Sequence, residues 1–362
     1  MRLTDVTVRE AAQMPGRSYS VEQRVEAGRA IDRLGVDRIQ TGFPAVGPDE
    51  RAVTRELAGS TDADIVVIAR ALGRDVEAAL DADADVIEVF APVSDRHLEH
   101  ALGKSRGEVF EMLTTAVDRA REDGVTVRLG VLDGFRTDHE HLLAVFDRFD
   151  DVSSIGLADT VGRRSPRTVR ATLTRLADHV DPARISVHFH NDLGVGTANV
   201  LTAYECGVAN ADVSVAALGE RVGNPAVEEV VAVGDLEYDE TFSVDPGQLV
   251  PVAEAVLTAL DEPVCDRKPI LGPAATTHEA GLHTAVMLEE PSTFEPFDPA
   301  RFGGERTLVF GEGTGRGGAQ KLLERADIPV TDDTLDRFLQ RLATEGPMDQ
   351  DAAVDLAERT FG

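Results

Sequence analysis

A chain of 362 residues has room for one large α/β domain of about 230 residues and a smaller companion, not for several modules. Its 65 acidic against 36 basic residues leave a formal charge of −29, which repels nucleic acid and anionic membranes, while 42% hydrophobic residues in regular periods exclude a disordered chain. Cys206 and Cys265 stand far apart outside any C-x-x-C, and no apolar run is long enough for a membrane span, so no disulfide framework, thiolate zinc site or membrane anchor is indicated.

With no leader pattern at residues 1–5, a cytoplasmic enzyme is expected. Only Lys104, Lys268 and Lys321 are lysines, and this Arg-rich, acidic balance points to a halophilic habitat, where salt screens self-repulsion.

In chain order, residues 4–8 alternate as a strand that stops at Arg9 and Glu10, and Ser20 caps a helix over 21–34. Residues 36–40 form a second strand closed by Thr41-Gly42-Phe43-Pro44, followed by a helix over 49–58. The unit then repeats: strand 64–69 with helix 74–82, 85–91 with 105–122, 125–131 with 138–149, 153–158 with 165–179, 185–190 with 195–206, and 211–217 with 226–233. Eight βα units with short connections and near-continuous apolar strands predict a (β/α)8 TIM barrel over 1–233, with a doubly wound open sheet as the competing architecture. After 234 the rhythm stops. A helix over 246–261, a Pro/Gly-rich segment over 265–283 and short helices over 319–326 and 334–343 predict an appended, mainly helical region over 234–362, without a separate regulatory domain.

A barrel gathers its chemistry where strands end. Polar residues concentrate there: Arg9 and Glu10, Gln40, Glu88, Ser94, Asp133 and Arg136, Asp159 and Thr160, His188 and His190, Glu220 and Asn224. His188 and His190, two residues apart on a strand, share one face and make half of a metal site; the alternative is a pair of ordinary polar positions. A third ligand, preferably a carboxylate, is then needed. Glu10 ends strand one, which in a closed barrel lies next to strand eight and close to strand seven. A divalent ion there leaves positions open for substrate oxygens, and Arg9 and Arg136 offer planar forks for a carboxylate or enolate oxygen.

Two other patterns carry less. His278-Glu279-x-x-x-His283 places its second histidine one residue too late for a metalloprotease helix, and Gly313-x-Gly315-x-x-Gly318 has too little chain after it for a dinucleotide-binding βαβ unit.

Thr7-Val8-Arg9-Glu10, Gly42-Phe43-Pro44, Asp159-Thr160-Val161-Gly162, His188-Phe189-His190-Asn191-Asp192-Leu193-Gly194 and Gly219-Glu220-Arg221-Val222-Gly223-Asn224 occur in that order. The series resembles the acetyl-CoA-condensing TIM-barrel synthases that make 2-isopropylmalate, homocitrate and citramalate, and the resemblance continues through 278–283, 293–297 and 311–316. It implies a metal-dependent acyltransferase that condenses acetyl-CoA with a 2-oxoacid, by a Claisen-type condensation and thioester hydrolysis, as a homodimer serving amino-acid biosynthesis. It implies a divalent ion (Zn, Mn or Mg) on Glu10, His188 and His190, with Asn224 as an additional ligand. Arg9 is implied for the developing oxyanion, Gln13, Arg136 and Thr160 with Arg9 for oxoacid binding, and His283 for proton transfer at acetyl-CoA.

The chain departs from the family's pattern at four positions. Leu132 stands where the family has the glutamate implicated in enolising acetyl-CoA, Ala12 replaces a glutamate, Glu88 replaces a histidine or apolar residue, and Phe294 replaces a tyrosine. A related lyase or aldolase, and a lapsed paralogue that binds an oxoacid without turnover, are therefore kept beside the synthase.

Overall fold

A computed structural model describes residues 1–362 and resolves the expected repeat into a closed barrel of eight parallel strands. The strands are β1 Arg2–Asp5, β2 Arg38–Gly42, β3 Asp64–Arg70, β4 Val86–Pro92, β5 Thr126–Leu132, β6 Ile155–Asp159, β7 Ile185–Phe189 and β8 Asn210–Val213. A helix follows each strand, from Val21–Asp32 after β1 to Val227–Glu237 after β8. β1 pairs with both β2 and β8, Thr4 opposite Arg38 on one side and Asp212 on the other, so no edge remains and the open-sheet alternative is excluded.

The strands are less uniformly apolar than the sequence suggests. One parity faces the helices and is oily: Leu3, Ile39, Ile65, Val67, Ile87, Val89, Leu129, Ile155, Leu157, Ile185, Val187, Phe189 and Ala211 are all 0% exposed. The other parity meets across the barrel and is largely polar. Arg128 on β5 donates through Nη1 to Thr4 Oγ1 on β1 (3.2 Å) and through Nη2 to Ser186 Oγ on β7 (2.8 Å), and Arg38 Nη1 donates to Asn210 Oδ1 (3.0 Å). Burying these groups is tolerated because each finds partners.

Two strand expectations are corrected. The first strand ends at Asp5 instead of running to Val8, because the Asp5 carboxylate accepts from the Thr7 N–H (2.8 Å) and turns the chain into the single helical turn Thr7–Glu10. The eighth stops at Val213 instead of Ala217. Ala216 and Ala217 lie at φ of 53° and 61°, outside any strand.

The expected boundary at 233/234 also moves. The first compact unit runs from Met1 to Pro263, since helix Leu249–Leu260 buries Val252, Val256 and Leu260 and packs on helix Val21–Asp32. The second unit, Val264–Gly362, is mainly helical but contains a three-stranded sheet, β9 Thr277–His278, β10 Thr307–Phe310 and β11 Met348–Asp349. Its core of Phe310, Leu322, Leu323, Phe338, Leu342 and Leu356 is closed by helix Gln350–Phe361, which the sequence reading did not isolate. No helix is long and apolar enough to cross a membrane.

Complete burial, opposed by hydrogen bonds to Thr7 and reinforced by Glu228 and Asp212, raises the Asp5 carboxyl from 3.8 to about 7. The native chain thus holds a proton that the unfolded chain has lost between these values, so this residue's contribution to stability falls as pH rises through that window. Asp5→Asn is expected to raise the urea midpoint above that of the parent at pH 8, by the equivalent of a few kcal/mol. The two midpoints should converge below pH 4, the ordinary carboxylate range.

Candidate metal centre and substrate cavity

The turn Thr7–Glu10 is tied to the segment that follows the adjacent strand β8 by the Val215 N–H, which donates to Thr7 Oγ1 (2.8 Å). This anchor tucks Glu10 inward to 1% exposure while Arg9 lies beside it. His188 projects from β7 and His190 follows directly after it, with ring centroids 5.0 Å apart. Ligand atoms of Glu10, His188 and His190 all fall within 4.8 Å of one another.

The donor set fits a divalent cation. The Asp212 carboxylate lies 3.0 Å from His188 Nδ1, which assigns the ring proton to that nitrogen and leaves the Nε2 lone pair free. That Nε2 stands 3.4 Å from His190 Nε2 and 3.6 Å from Glu10 Oε1. Ligand bonds of about 2.1 Å in a tetrahedron give edges of about 3.4 Å. Three lone-pair carriers at that spacing repel unless a positive charge joins them. Asn224 sits against the same group, its Nδ2 donating to Phe189 O (3.1 Å) and lying 3.5 Å from His188 Nε2, while Oδ1 is buried without a partner.

Charge and burial act differently on the three groups. Burial acts to raise the Glu10 carboxyl, but Arg9 and the two histidines outweigh it and hold the group down at about 2, so it is anionic. Burial, reinforced by His188, lowers His190 to about 3 and keeps it neutral. Burial also works to lower His188, yet Asp212 and Glu10 more than reverse it, and the group is raised.

These residues line a cavity of about 200 Å³ together with Arg9, Gln13, Thr160, Leu132, Glu88 and Arg128. Arg9 is held by Gln40 Oε1 and by Glu10 Oε1 (2.6 Å) and is largely buried. Thr160 Oγ1 accepts from the Asp133 N–H (2.8 Å), which leaves its own proton free to be donated. Gln13 is exposed at the mouth.

Arg136 is not brought into this cavity. Its Nε donates to Asp133 Oδ1 (2.5 Å), and it lines a separate cleft of about 180 Å³ with Ser94 and His141. Asp133, at φ 58°, is further held by Ser94 Oγ (2.6 Å) and His97 Nδ1 (3.1 Å), so its environment orients Thr160 and not a substrate. His283 belongs to the second unit, where its ring stacks on Phe294 at 4.0 Å between centroids.

Sequence reasoning left Arg128, Asp212 and the part played by Gln40 undetected. The available signal was parity: Arg128 alternates with Gly130 and Leu132, and Asp212 interrupts the apolar run 211–213. The motif residues Asp192 and Arg221 are explained here. The Arg221 guanidinium donates to both oxygens of Asp192 (2.8 and 2.9 Å), to Glu220 (2.9 Å) and to Thr160 O (3.2 Å), strapping the loops after β6, β7 and β8 together. Gly223, at φ +81°, admits no side chain, since a Cβ would stand 1.6 Å from Ala217 O.

Residues 1–250 match the HMGL-like family, and residues 270–347 match the family described as homocitrate synthase post-HMGL domain-like. Over 349 residues the chain is 36% identical to a probable 2-isopropylmalate synthase of Methanopyrus kandleri, covering 96% of this chain and 70% of the relative. It is also 36% identical over 349 residues to the homocitrate synthase AksA of the same organism, covering 94% and 87%. With the (R)-citramalate synthase CimA of Methanocaldococcus jannaschii it shares 32% over 354 residues, covering 96% and 71%. In fold it is similar to the HMG-CoA lyase of Bacillus subtilis, with a TM-score of 0.64 and 22% identity over 74% of this chain and 95% of that one. The motifs at the strand ends, the barrel and identities over nearly the whole of this chain thus agree: the chain belongs to the HMGL-like family, in its branch of 2-isopropylmalate, homocitrate and citramalate synthases.

Proposed function

We propose that this chain is a metal-dependent acyltransferase that joins the acetyl group of acetyl-CoA to the keto carbon of a 2-oxoacid and then releases the thiol by hydrolysis. The observation that carries the reading is the convergence of Glu10, His188 and His190 within 4.8 Å at the wall of a cavity that also presents Arg9 and Thr160. The names of the relatives, all synthases of 2-hydroxy acids, support it.

Glu10, His188 and His190 would hold a divalent ion, with Asn224 beside them, and such an ion would supply Lewis-acid polarisation of a carbonyl. Asp212 fixes the His188 ring so that Nε2 faces the centre. Arg9, preset by Gln40 and Glu10, aims its remaining N–H groups at the oxygen on which charge develops, and needs no reorganisation to do so. Thr160 donates to the oxoacid carboxylate, and Gln13 closes over it. Arg136, which the resemblance also implies for that carboxylate, donates instead to Asp133 in a different cleft. A role for His283 in proton transfer, a homodimer and a high-salt habitat complete the reading on the strength of the resemblance and of the −29 charge.

One observation favours a second reading. Leu132, which cannot move a proton, lines the cavity, and an enzyme that binds its oxoacid without condensing it fits that residue.

Asp212→Ala is expected to weaken manganese or zinc binding by about 10- to 100-fold, measured by competition with a chelator. Circular dichroism should show the barrel intact. Free-thiol release from acetyl-CoA, assayed in molar potassium chloride against a panel of 2-oxoacids, should depend on one oxoacid and on metal, and His283→Ala should depress it. Leu132→Glu is expected to increase the rate. Bound metal and bound oxoacid with no thiol release across the panel would replace the synthase by the second reading.

A further inference from the structure

Below His188 and His190 the cavity descends past three positions with little or no side chain, Gly130, Gly156 and Ala158, to a floor formed by Glu88, Arg128, Ser186 and Asp212. Gly130 is built against the carboxylate of Glu88, since a Cβ there would lie 2.9 Å from Glu88 Oε1 and 3.0 Å from Phe90 Cβ. Arg128, 1% exposed, gives its two terminal nitrogens to the neutral oxygens of Thr4 and Ser186. It lies between two carboxylates, with Nη2 3.5 Å from Glu88 Oε2 and 3.9 Å from Asp212 Oδ1. Neither of those oxygens accepts a hydrogen bond, and Arg128 Nε donates none. The one guanidinium of the floor is therefore compensated from both sides, and Glu88 keeps an oxygen with unused accepting capacity.

We propose that Glu88 is a specificity determinant that restricts this cavity to 2-oxoacids with an uncharged substituent and turns away those carrying a second carboxylate. The inference rests on the oxoacid reading above. With the carboxylate and keto oxygen of the substrate engaged at the level of Thr160, Arg9 and the two histidines, the rest of the molecule points down past Gly130, Gly156 and Ala158 toward Glu88. An alkyl group meets Ile68, Phe90 and Leu132 on the way, and a hydroxyl can donate to the open Glu88 oxygen. A second carboxylate meets a like charge inside a partly enclosed cavity, where Glu88 is 14% exposed and repulsion is stronger than in solvent. Arg128 cannot offset this, because its charge is already shared by Glu88 and Asp212.

The test is calorimetric titration of the manganese-loaded chain with 2-oxobutyrate, 2-oxoisovalerate and 2-oxohexanoate as uncharged probes, and with oxaloacetate and 2-oxoglutarate as charged ones. The best uncharged probe is expected to bind about a hundredfold more tightly than the best charged one, the size of effect that like-charge juxtaposition produces. In Glu88→Gln this ratio should shrink by about tenfold or more. Tighter binding of a dicarboxylic probe by the unaltered chain overturns the proposal, as does an unchanged ratio in a folded Glu88→Gln. The comparison within the unaltered chain needs no variant, so it remains decisive where the substitution impairs folding. Preference for uncharged probes without thiol release from acetyl-CoA overturns the synthase reading and supports the role of Glu88. Failure of every probe to bind overturns both.

Discussion

Closure of the barrel between β1 and β8 is the constraint on which the site depends. Glu10 is distant in sequence from His188 and His190, and it reaches them because Arg2–Asp5 pairs in register with Asn210–Val213. The next residues are then held by the Asp5 and Thr7 hydrogen bonds. The cost of bringing such distant segments together is met by the apolar parity of all eight strands, which is sealed beneath the helices. The inward parity is released from that task and carries the chemistry.

The electrostatic design follows the same division. The chain is strongly acidic, yet the interior of the barrel holds Arg9, Arg38 and Arg128, each met by oxygens of other segments of the barrel. Buried arginine suits this position, because its planar, rigid fork satisfies several acceptors at once with little loss of freedom. Around the candidate metal centre burial and charge hold Glu10 anionic and His190 neutral, while Asp212 and Glu10 raise His188 against its burial. An anionic carboxylate and a neutral imidazole are what a divalent cation needs in its ligands.

Two of the four departures from the family's pattern line the cavity. Leu132 and Glu88 belong to adjacent strands, β5 and β4, and both line the cavity away from the metal triad. Glu10, His188, His190, Arg9 and Thr160 keep the family's pattern, while Leu132 and Glu88 depart from it.

Much of this was legible in the sequence, because it is local. Hydrophobic periodicity set the order of the βα units, and the i, i+2 spacing of His188 and His190 placed both rings on one face. The chain's own ordered motifs also named Glu10, Thr160 and Asn224 at the positions where the structure gathers them. What is not local could not be read there. The helical turn at Thr7–Glu10 required the Asp5 carboxylate and the anchor from Val215. The diversion of Arg136 required Asp133, itself held from β4 by Ser94 and His97. The Glu88, Arg128 and Asp212 floor required closure of the barrel, which sets side chains of β4, β5 and β8 face to face. Sequence determined which segments form strands and that His188 and His190 share a face, since both follow from period and chemistry along a single element. Only the tertiary structure decided which inward residues become partners, since that depends on register and closure between elements that are remote in the chain.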